Sequence, residues 1–441
     1  MENNQAGAKL QATSTAIVMK PKRMGLRWGM AVIFFVIGLI AYMDRSNISI
    51  VAKPMMEDLN IDKVQFGFLT SLFFLGYCLA QIPGGILAER YGARKIIAIA
   101  ITFWSVFTAF TAAATSYVMM CIVRFFFGVG EGPMYPGNAS FNSYWFQKHE
   151  KGRAASALLS GSFFGPVIAP TLGVAIMTAF GWQAVFYVFA GAGVLIAIVW
   201  FIIGRDRPEQ HPWISEAEQR LILANRSANS STAKAPWGQY LRNPRFWAIG
   251  GQYLVVLYMN TFFLTWLPTY LMEARGFSLQ SMGIAASFPW LALCIVTIAG
   301  GAFSDMLLRI TRSLMKSRGY VAIAGFLVFI LGLYMAAYAS TPALNVLWLT
   351  VGLGALGLPF VVSWALANDL GKEFAGSVSG WMNVWGSTGG VIAPIVCGWM
   401  AQTFGWEKTI LLNILPVLGS IVLWLLIRPD QPLLKETPER R

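Results

Sequence analysis

The chain has 441 residues, of which 56% are hydrophobic and only 12% charged, against about 25% charged residues in an ordinary soluble domain. That composition excludes a disordered chain and argues against a water-soluble enzyme; so much apolar sequence needs the bilayer as a second solvent. The 33 Lys and Arg against 20 Asp and Glu leave a formal net charge of +13, which in a soluble protein would suggest nucleic acid and here asks where the basic residues lie.

Residues 1–26 are polar and basic and read as a cytoplasmic N-terminal segment. The apolar run that follows is too long for a signal-peptide core and contains Asp44-Arg45, so no cleavage is expected. A membrane-crossing helix needs about 20 apolar residues. Twelve such runs follow in order: 27–51, 64–88, 95–115, 117–145, 153–178, 182–204, 246–272, 280–306, 319–339, 343–368, 375–402 and 407–427. A polar stretch, 205–245, divides them six and six. This predicts an all-α membrane protein: an N-terminal six-helix bundle (27–204), a cytoplasmic linker (205–245), a C-terminal six-helix bundle (246–427) and a cytoplasmic tail (428–441). Within the linker, "SEAEQRLILANR" reads as a surface helix capped by Ser215, with Glu218 three residues on.

Alternate loops collect the basic residues: Lys20, Lys22 and Arg23; Arg90, Arg94 and Lys95; Lys148, Lys151 and Arg153; Arg205, Arg207 and Arg220; Arg309, Arg312, Lys316 and Arg318; and Arg428. The opposite loops are nearly bare, so both termini and the linker are placed in the cytoplasm. Topology thus accounts for the basic surplus: nucleic acid is not needed as a partner, and lipid headgroups are the expected contact of these loops.

The halves repeat. "VIAP" occurs at 167–170 and 391–394, each followed at the same distance by "FGW" at 180–182 and 404–406. The shared offset maps the fifth span onto the eleventh in the same direction. This is a parallel repeat about an axis along the membrane normal, an arrangement found in transporters.

Two acidic residues fall deep inside apolar spans, Asp44 and Glu131, and two basic ones, Arg45 and Arg124. Each is costly unless paired or hydrated. Helix rise puts Asp44 roughly 13 Å and Arg124 roughly 10 Å from the same membrane face, with Glu131 about 10 Å deeper, so Asp44 and Arg124 can meet. A purely structural set of ion pairs is one reading, but buried ion pairs stabilise poorly. The other is a binding cavity in which the arginines hold a carboxylate and the two acids exchange protons. The two histidines, His149 and His211, fall in polar loops; they are expected to be solvated, and neither can carry a proton through the membrane.

The fourth span, "RFFFGVGEGPMYPGN", has its helix weakened by Gly128, Gly130, Gly132, Pro133 and Pro136, a pattern suited to close packing or to lining a cavity. Tyr42, Tyr77, Gln81, Asn138, Ser162, Asn260, Ser363, Trp364 and Asn383 could complete a site for a hydroxylated ligand. Asn368-Asp369 reads as a gate or helix-end contact. Cys78, Cys121, Cys294 and Cys397 lie inside apolar runs and read as buried small residues, without metal or redox spacing. No phosphate loop, metal cluster or nucleophile motif is found, which leaves transport driven by an ion gradient, with no cofactor.

"GILAERYGARK", from Gly85 through Glu89, Arg90, Gly92 and Arg94, resembles the signature loop of the major facilitator superfamily, and "GGAFSDMLLRITRS" keeps Gly301, Asp305 and Arg309 as its half-repeat. These residues are expected to form a charge network that gates one conformation. "YMDRSNIS", "GYCLAQIPGGILAERYG", "RFFFGVGEGPMYPGN" and "TWLPTYL" resemble, more narrowly, the anion:cation symporter family, and within it bacterial galactonate, glucarate and hexuronate proton symporters. The resemblance implies twelve helices in two pseudo-symmetric bundles, a bacterial inner membrane location, and a monomer importing a small carboxylate, a sugar acid, with protons. It also implies proton-coupling roles for Asp44 and Glu131 and a substrate-carboxylate ligand in Arg45, with Tyr42, Tyr77, Trp364 and Asn383 near sugar-contacting positions. Arg124, Ser363 and Asn260 join the expected binding set. Ser162 departs from relatives with a larger amide, and Ala169-Pro170 replaces the glycine pair of an antiporter motif. An organic-anion exchanger, a sodium-coupled carrier and a ligand sensor that does not transport are the alternatives; the two buried arginines argue against export of cationic drugs.

Overall fold

The computed structural model describes residues 25–147, 149–224 and 235–433. The N-terminal polar segment up to residue 24 lies outside them, with its Lys20, Lys22 and Arg23, as do Lys148, the linker stretch 225–234 and the tail from 434.

All described secondary structure is helical, and twelve helices are long and apolar enough to cross a membrane. In order they are Leu26–Ile50, Lys63–Tyr91, Ala93–Ala113, Tyr117–Trp145, Lys151–Phe180, Trp182–Ile203, Pro244–Arg275, Leu279–Thr311, Met315–Ala337, Pro342–Gly371, Ala375–Phe404 and Trp406–Ile427. Each overlaps its expected run. Local chemistry sets several starts. Asp62 accepts from the Gln65 amide at 2.8 Å while the Gln65 side chain accepts from the Asp62 amide at 3.0 Å, a reciprocal cap on the second span. Gly181 and Gly405, the middle residues of the two FGW repeats, have φ of +86° and +81°. That backbone region suits glycine alone, so the repeated motif is a repeated turn. The tryptophan after each turn then donates its indole N–H to an acid: Trp182 to Asp58 at 2.6 Å, Trp406 to Glu273 at 2.8 Å.

The packing obeys the two-fold relation. The first span packs on the fifth and the seventh on the eleventh; the second packs on the fourth and the eighth on the tenth. The halves meet through the second and eleventh spans and through the fifth and eighth, two contacts that exchange under the same relation. Gly165 and Gly389, one repeat offset apart, both sit against a carbonyl of the partner span. A Cβ would come 2.8 Å from Leu39 O at the former and 2.2 Å from Leu254 O at the latter. Small residues allow helix backbones to approach this closely in a membrane.

The face carrying Arg90, Arg205 and Arg309, where the first span begins and the twelfth ends, is called the basic face below. Here Arg27, 6% exposed, bridges Glu150 at 2.9 Å and Glu218 at 2.8 Å. The linker helix forms as expected, over Glu216–Ala224, and Ser215 caps the Glu218 amide at 3.3 Å. Glu218 does not complete the cap, because its carboxylate instead takes the Leu26 amide at 2.9 Å and the Arg27 side chain. His211 corrects a second expectation. It is buried, its Nε2 bonded to Ile203 O at 2.9 Å while Nδ1 accepts from the Trp213 amide at 3.1 Å. At the opposite face the halves are tied by Lys63–Glu273 at 3.1 Å and by Thr171 bonded to Gly283 O at 3.3 Å.

Candidate functional site

The fourth span places two of the four buried charges. Its helix is interrupted after Glu131 and resumes at Met134, as the Gly-Pro run suggested. The glycines serve packing: a Cβ on Gly128 would meet Phe73 O at 2.0 Å, and one on Gly132 would meet the Ala80 methyl at 2.6 Å. Close contact with the second span turns Arg124 and Glu131 toward the first span, where Asp44 and Arg45 sit.

All four are buried, with Asp44 and Glu131 at 0% exposure, Arg124 at 2% and Arg45 at 6%. Arg45 Nε donates to Glu131 Oε2 at 2.5 Å. The Arg45 guanidinium also lies over the rings of Tyr42 at 4.4 Å, Tyr77 at 4.5 Å and Phe73 at 5.1 Å, cation–π contacts that strengthen when water is excluded. The expected meeting of Asp44 with Arg124 is not a hydrogen bond: both Asp44 oxygens and Arg124 Nε lack a partner. Arg124 rests instead over Phe127 at 4.6 Å. The two arginines share a small cavity with Ile48, Thr70, Phe73 and Phe74, closed on its far side by Leu264 and Thr265 of the seventh span. The cationic groups therefore face the boundary between the halves.

The other expected residues divide. Tyr42 and Tyr77 stand on Arg45. Asn383 donates to Gln81 at 2.9 Å, one helical turn beyond Tyr77, and so ties the eleventh span to the second. Trp364 donates to the Tyr253 hydroxyl at 2.7 Å and keeps a partly exposed ring. Ser363 is buried, its hydroxyl held by Pro359 O at 2.6 Å and Gln252 at 3.1 Å. Asn260 is half-buried on the seventh span, and no contact among the described residues joins it to the charged group. Sequence reasoning missed Tyr135, whose hydroxyl bonds Ser162 at 2.8 Å. Tyr135 lies one turn after Glu131, and that helical spacing was the available signal.

The loop charges pair differently from expectation. Gly92 has φ +94°, and the turn it makes lets the Arg94 amide bond Asp206 at 2.7 Å while its guanidinium caps Phe201 O at 2.6 Å. Glu89 and Arg90 stay exposed, and Gly85 packs near Pro136. In the second half, Arg318 rather than Arg309 is the hub. It bridges Asp305 at 2.8 Å and Asp369 at 3.0 Å, while Arg309 is exposed. The arginine of these pairs is supplied by the ninth span, which no local spacing reveals.

Residues 34–394 and 317–441 match the family model described as Major Facilitator Superfamily. The chain belongs to that superfamily. It is accordingly a multi-pass membrane transporter and not an enzyme. It is 32% identical over 407 residues to the probable galactarate/D-glucarate transporter of Bacillus subtilis, covering 87% of this chain and 88% of that one. It is 30% identical over 400 residues to the hexuronate transporter of the same organism, covering 90% and 93%. In fold it is similar to the crystal structure of a bacterial homologue of the human lysosomal transporter Spinster. That match has a TM-score of 0.77 at 17% identity and covers 92% of this chain and 97% of the other.

Proposed function

We propose that this protein is a proton-coupled importer of a small organic anion, a sugar acid of the galactonate, glucarate or hexuronate class. The observation that carries the reading is the Arg45–Glu131 pair buried beside a second, unpaired arginine at the boundary of the two halves. Two guanidinium groups supply bidentate donors for a carboxylate. Tyr42, Tyr77 and Gln81, with Asn383, Trp364 and Tyr253 in the facing half, supply hydroxyl, amide and indole groups for a polyhydroxylated body. The relatives named for sugar acids support the class.

In this mechanism substrate carboxylate competes with Glu131 for Arg45. Binding is favoured when Glu131 takes a proton and releases the arginine, so anion and proton travel together. Asp44 is the second proton site. The halves then rock about the bound ligand: the contacts at the Lys63 end part, and those at the basic face, with Arg94–Asp206 and Arg318–Asp369 holding each half rigid, come together. The basic face is cytoplasmic by charge asymmetry, in a bacterial inner membrane, and the monomer suffices.

Uptake of labelled galactonate, glucarate and glucuronate into proteoliposomes tests this. An inward proton gradient accelerates at least one of them, and Asp44→Asn and Glu131→Gln abolish gradient-driven accumulation. No acceleration for any of the three sinks the proposal, and accumulation that follows sodium, or counterflow indifferent to a protonophore, replaces it with the sodium-coupled or exchange reading.

A further inference from the structure

The small cavity beside Arg45 and Arg124 has a volume of about 10 Å³, room for one water-sized group. That is too little for a carboxylate and enough for a single hydroxyl. It lies between the halves: Thr70 lines it from the second span and Thr265 from the seventh. Both threonines are buried, at 3% and 5% exposure, but their hydroxyls differ. Thr70 Oγ1 donates to its own helix, at 3.0 Å from Phe66 O and 2.9 Å from Gly67 O, so toward the cavity it can only accept. Thr265 makes no side-chain hydrogen bond among the described residues, although a helical threonine can turn its hydroxyl back on the carbonyl four residues earlier. It therefore keeps both a donor and an acceptor. Three residues on, Pro268 has no N–H to return to Leu264 O, and Leu264 also lines the cavity. The arginines have donors to spare, since Arg45 Nη2 and Arg124 Nε are buried without partners. The walls thus carry donors on the arginine side and a donor with acceptors on the threonine side, a set suited to a group that gives and takes a hydrogen bond at once.

Resting on the sugar-acid reading set out above, we propose that this cavity is the subsite for the substrate hydroxyl on the carbon next to the carboxylate, and that Thr265 is the residue that determines specificity for it. In a sugar acid that hydroxyl is the polar group buried beside whatever holds the carboxylate. Here it accepts from a guanidinium N–H and donates to a threonine oxygen. An acid with hydrogen in place of that hydroxyl leaves the arginine N–H groups and the Thr265 hydroxyl unpaired, and unpaired buried groups are what give a polar pocket its discrimination. Arg45 and Thr265 belong to opposite halves, so the same hydroxyl joins the two sides of the boundary.

The experiment measures Kd by titration calorimetry on the purified protein. The ligands are each of galactonate, glucarate and glucuronate that binds, and for each the analogue in which hydrogen replaces the hydroxyl beside the carboxylate. The proteins are the parent, Thr265→Val, which keeps the shape without the hydroxyl, and Thr265→Ser, which keeps the hydroxyl. The parent binds the deoxy analogue about 10-fold more weakly than the acid. Thr265→Val weakens the acid by a similar factor without weakening the analogue, so the ratio falls toward one, and Thr265→Ser keeps the parent's ratio. The comparison of acid with analogue on the parent needs no variant, and equal affinities there overturn the proposal. So does a Thr265→Val that weakens both ligands equally or leaves the parent's ratio in place. A parent that binds none of the three acids removes the sugar-acid reading itself, and the subsite with it.

Discussion

Arg45 and Glu131 form an ion pair at 2.5 Å between the first and fourth spans, with Glu131 wholly buried and Arg45 wrapped by the rings of Tyr42 and Tyr77. Such a pair gains little stability over apolar side chains of the same volume. Its position at the half-to-half boundary suits the substrate-binding role proposed for Arg45.

That arrangement separates two substitutions. Arg45→Lys keeps the charge but loses the planar fork and the stacking on two tyrosines. Substrate KM is expected to rise about 10- to 100-fold, a cost of roughly 1.4–3 kcal/mol by analogy with lost charge-assisted bonds. Glu131→Gln removes the competitor for Arg45, so substrate binding persists and loses its pH dependence while accumulation against a gradient fails. Binding by tryptophan fluorescence across pH, beside uptake in proteoliposomes, distinguishes the two.

Lys63 and Glu273 join the halves at the face opposite the basic loops, and the Glu273 oxygen that takes Lys63 at 3.1 Å also accepts from Trp406. Both side chains are 26% exposed, so the pair itself is worth only about 1 kcal/mol or less. Its leverage is on the balance of conformations, where that amount shifts a ratio roughly five-fold. Lys63→Met is expected to raise labelling of cysteines placed near Thr171 by a membrane-impermeant reagent, with thermal stability unchanged. A Lys63→Cys, Glu273→Cys pair, once oxidised, is expected to arrest uptake until reduced.

The spans, the two-fold repeat and the four intramembrane charges were legible because each has a one-dimensional signature: apolar length, register and charge in an apolar run. Partner choice was not. Helix rise puts Asp44 and Arg124 at one depth, but which charges meet also depends on how each helix is rotated. The contact of Gly128 with Phe73 rotates the fourth span so that Glu131, not Asp44, takes an arginine. Likewise Glu218 spaces as a cap, yet Arg27 outcompetes its own backbone for the carboxylate. Arg318 reaches Asp305 and Asp369 from another span altogether.

The Arg27 cluster makes a stability prediction. One guanidinium satisfies two carboxylates, with side-chain exposures of 7% for Arg27, 11% for Glu150 and 4% for Glu218. Arg27→Ala leaves two acids facing each other without a cation, and breaking a buried pair from one side costs about 3–5 kcal/mol. The exposed Arg220–Glu216 pair, with exposures of 81% and 86%, provides the control: Arg220→Ala is expected to cost roughly 0.5 kcal/mol or less. Thermal unfolding in detergent, followed through tryptophan emission, compares them. Equal losses would mean that the linker helix is not anchored through Arg27.

His211 gives a pH-dependent counterpart. Burial holds its imidazole below the usual histidine range, with the Arg205 charge adding to that, while the bond to Ile203 O opposes both. The folded protein therefore binds this proton less readily than the unfolded chain, and stability rises with pH across the interval between the two values. The contribution is complete above about pH 6.5, the unfolded histidine value, and fades as pH falls through the lower, folded value. His211→Gln retains a donor for Ile203 O and an acceptor for the Trp213 amide but has no proton to gain. The parent is expected to lose more melting temperature than His211→Gln on acidification from about pH 7.5 to pH 5.5, with the two curves parallel above pH 7. Curves parallel throughout would show that His211 does not respond to acid in this range.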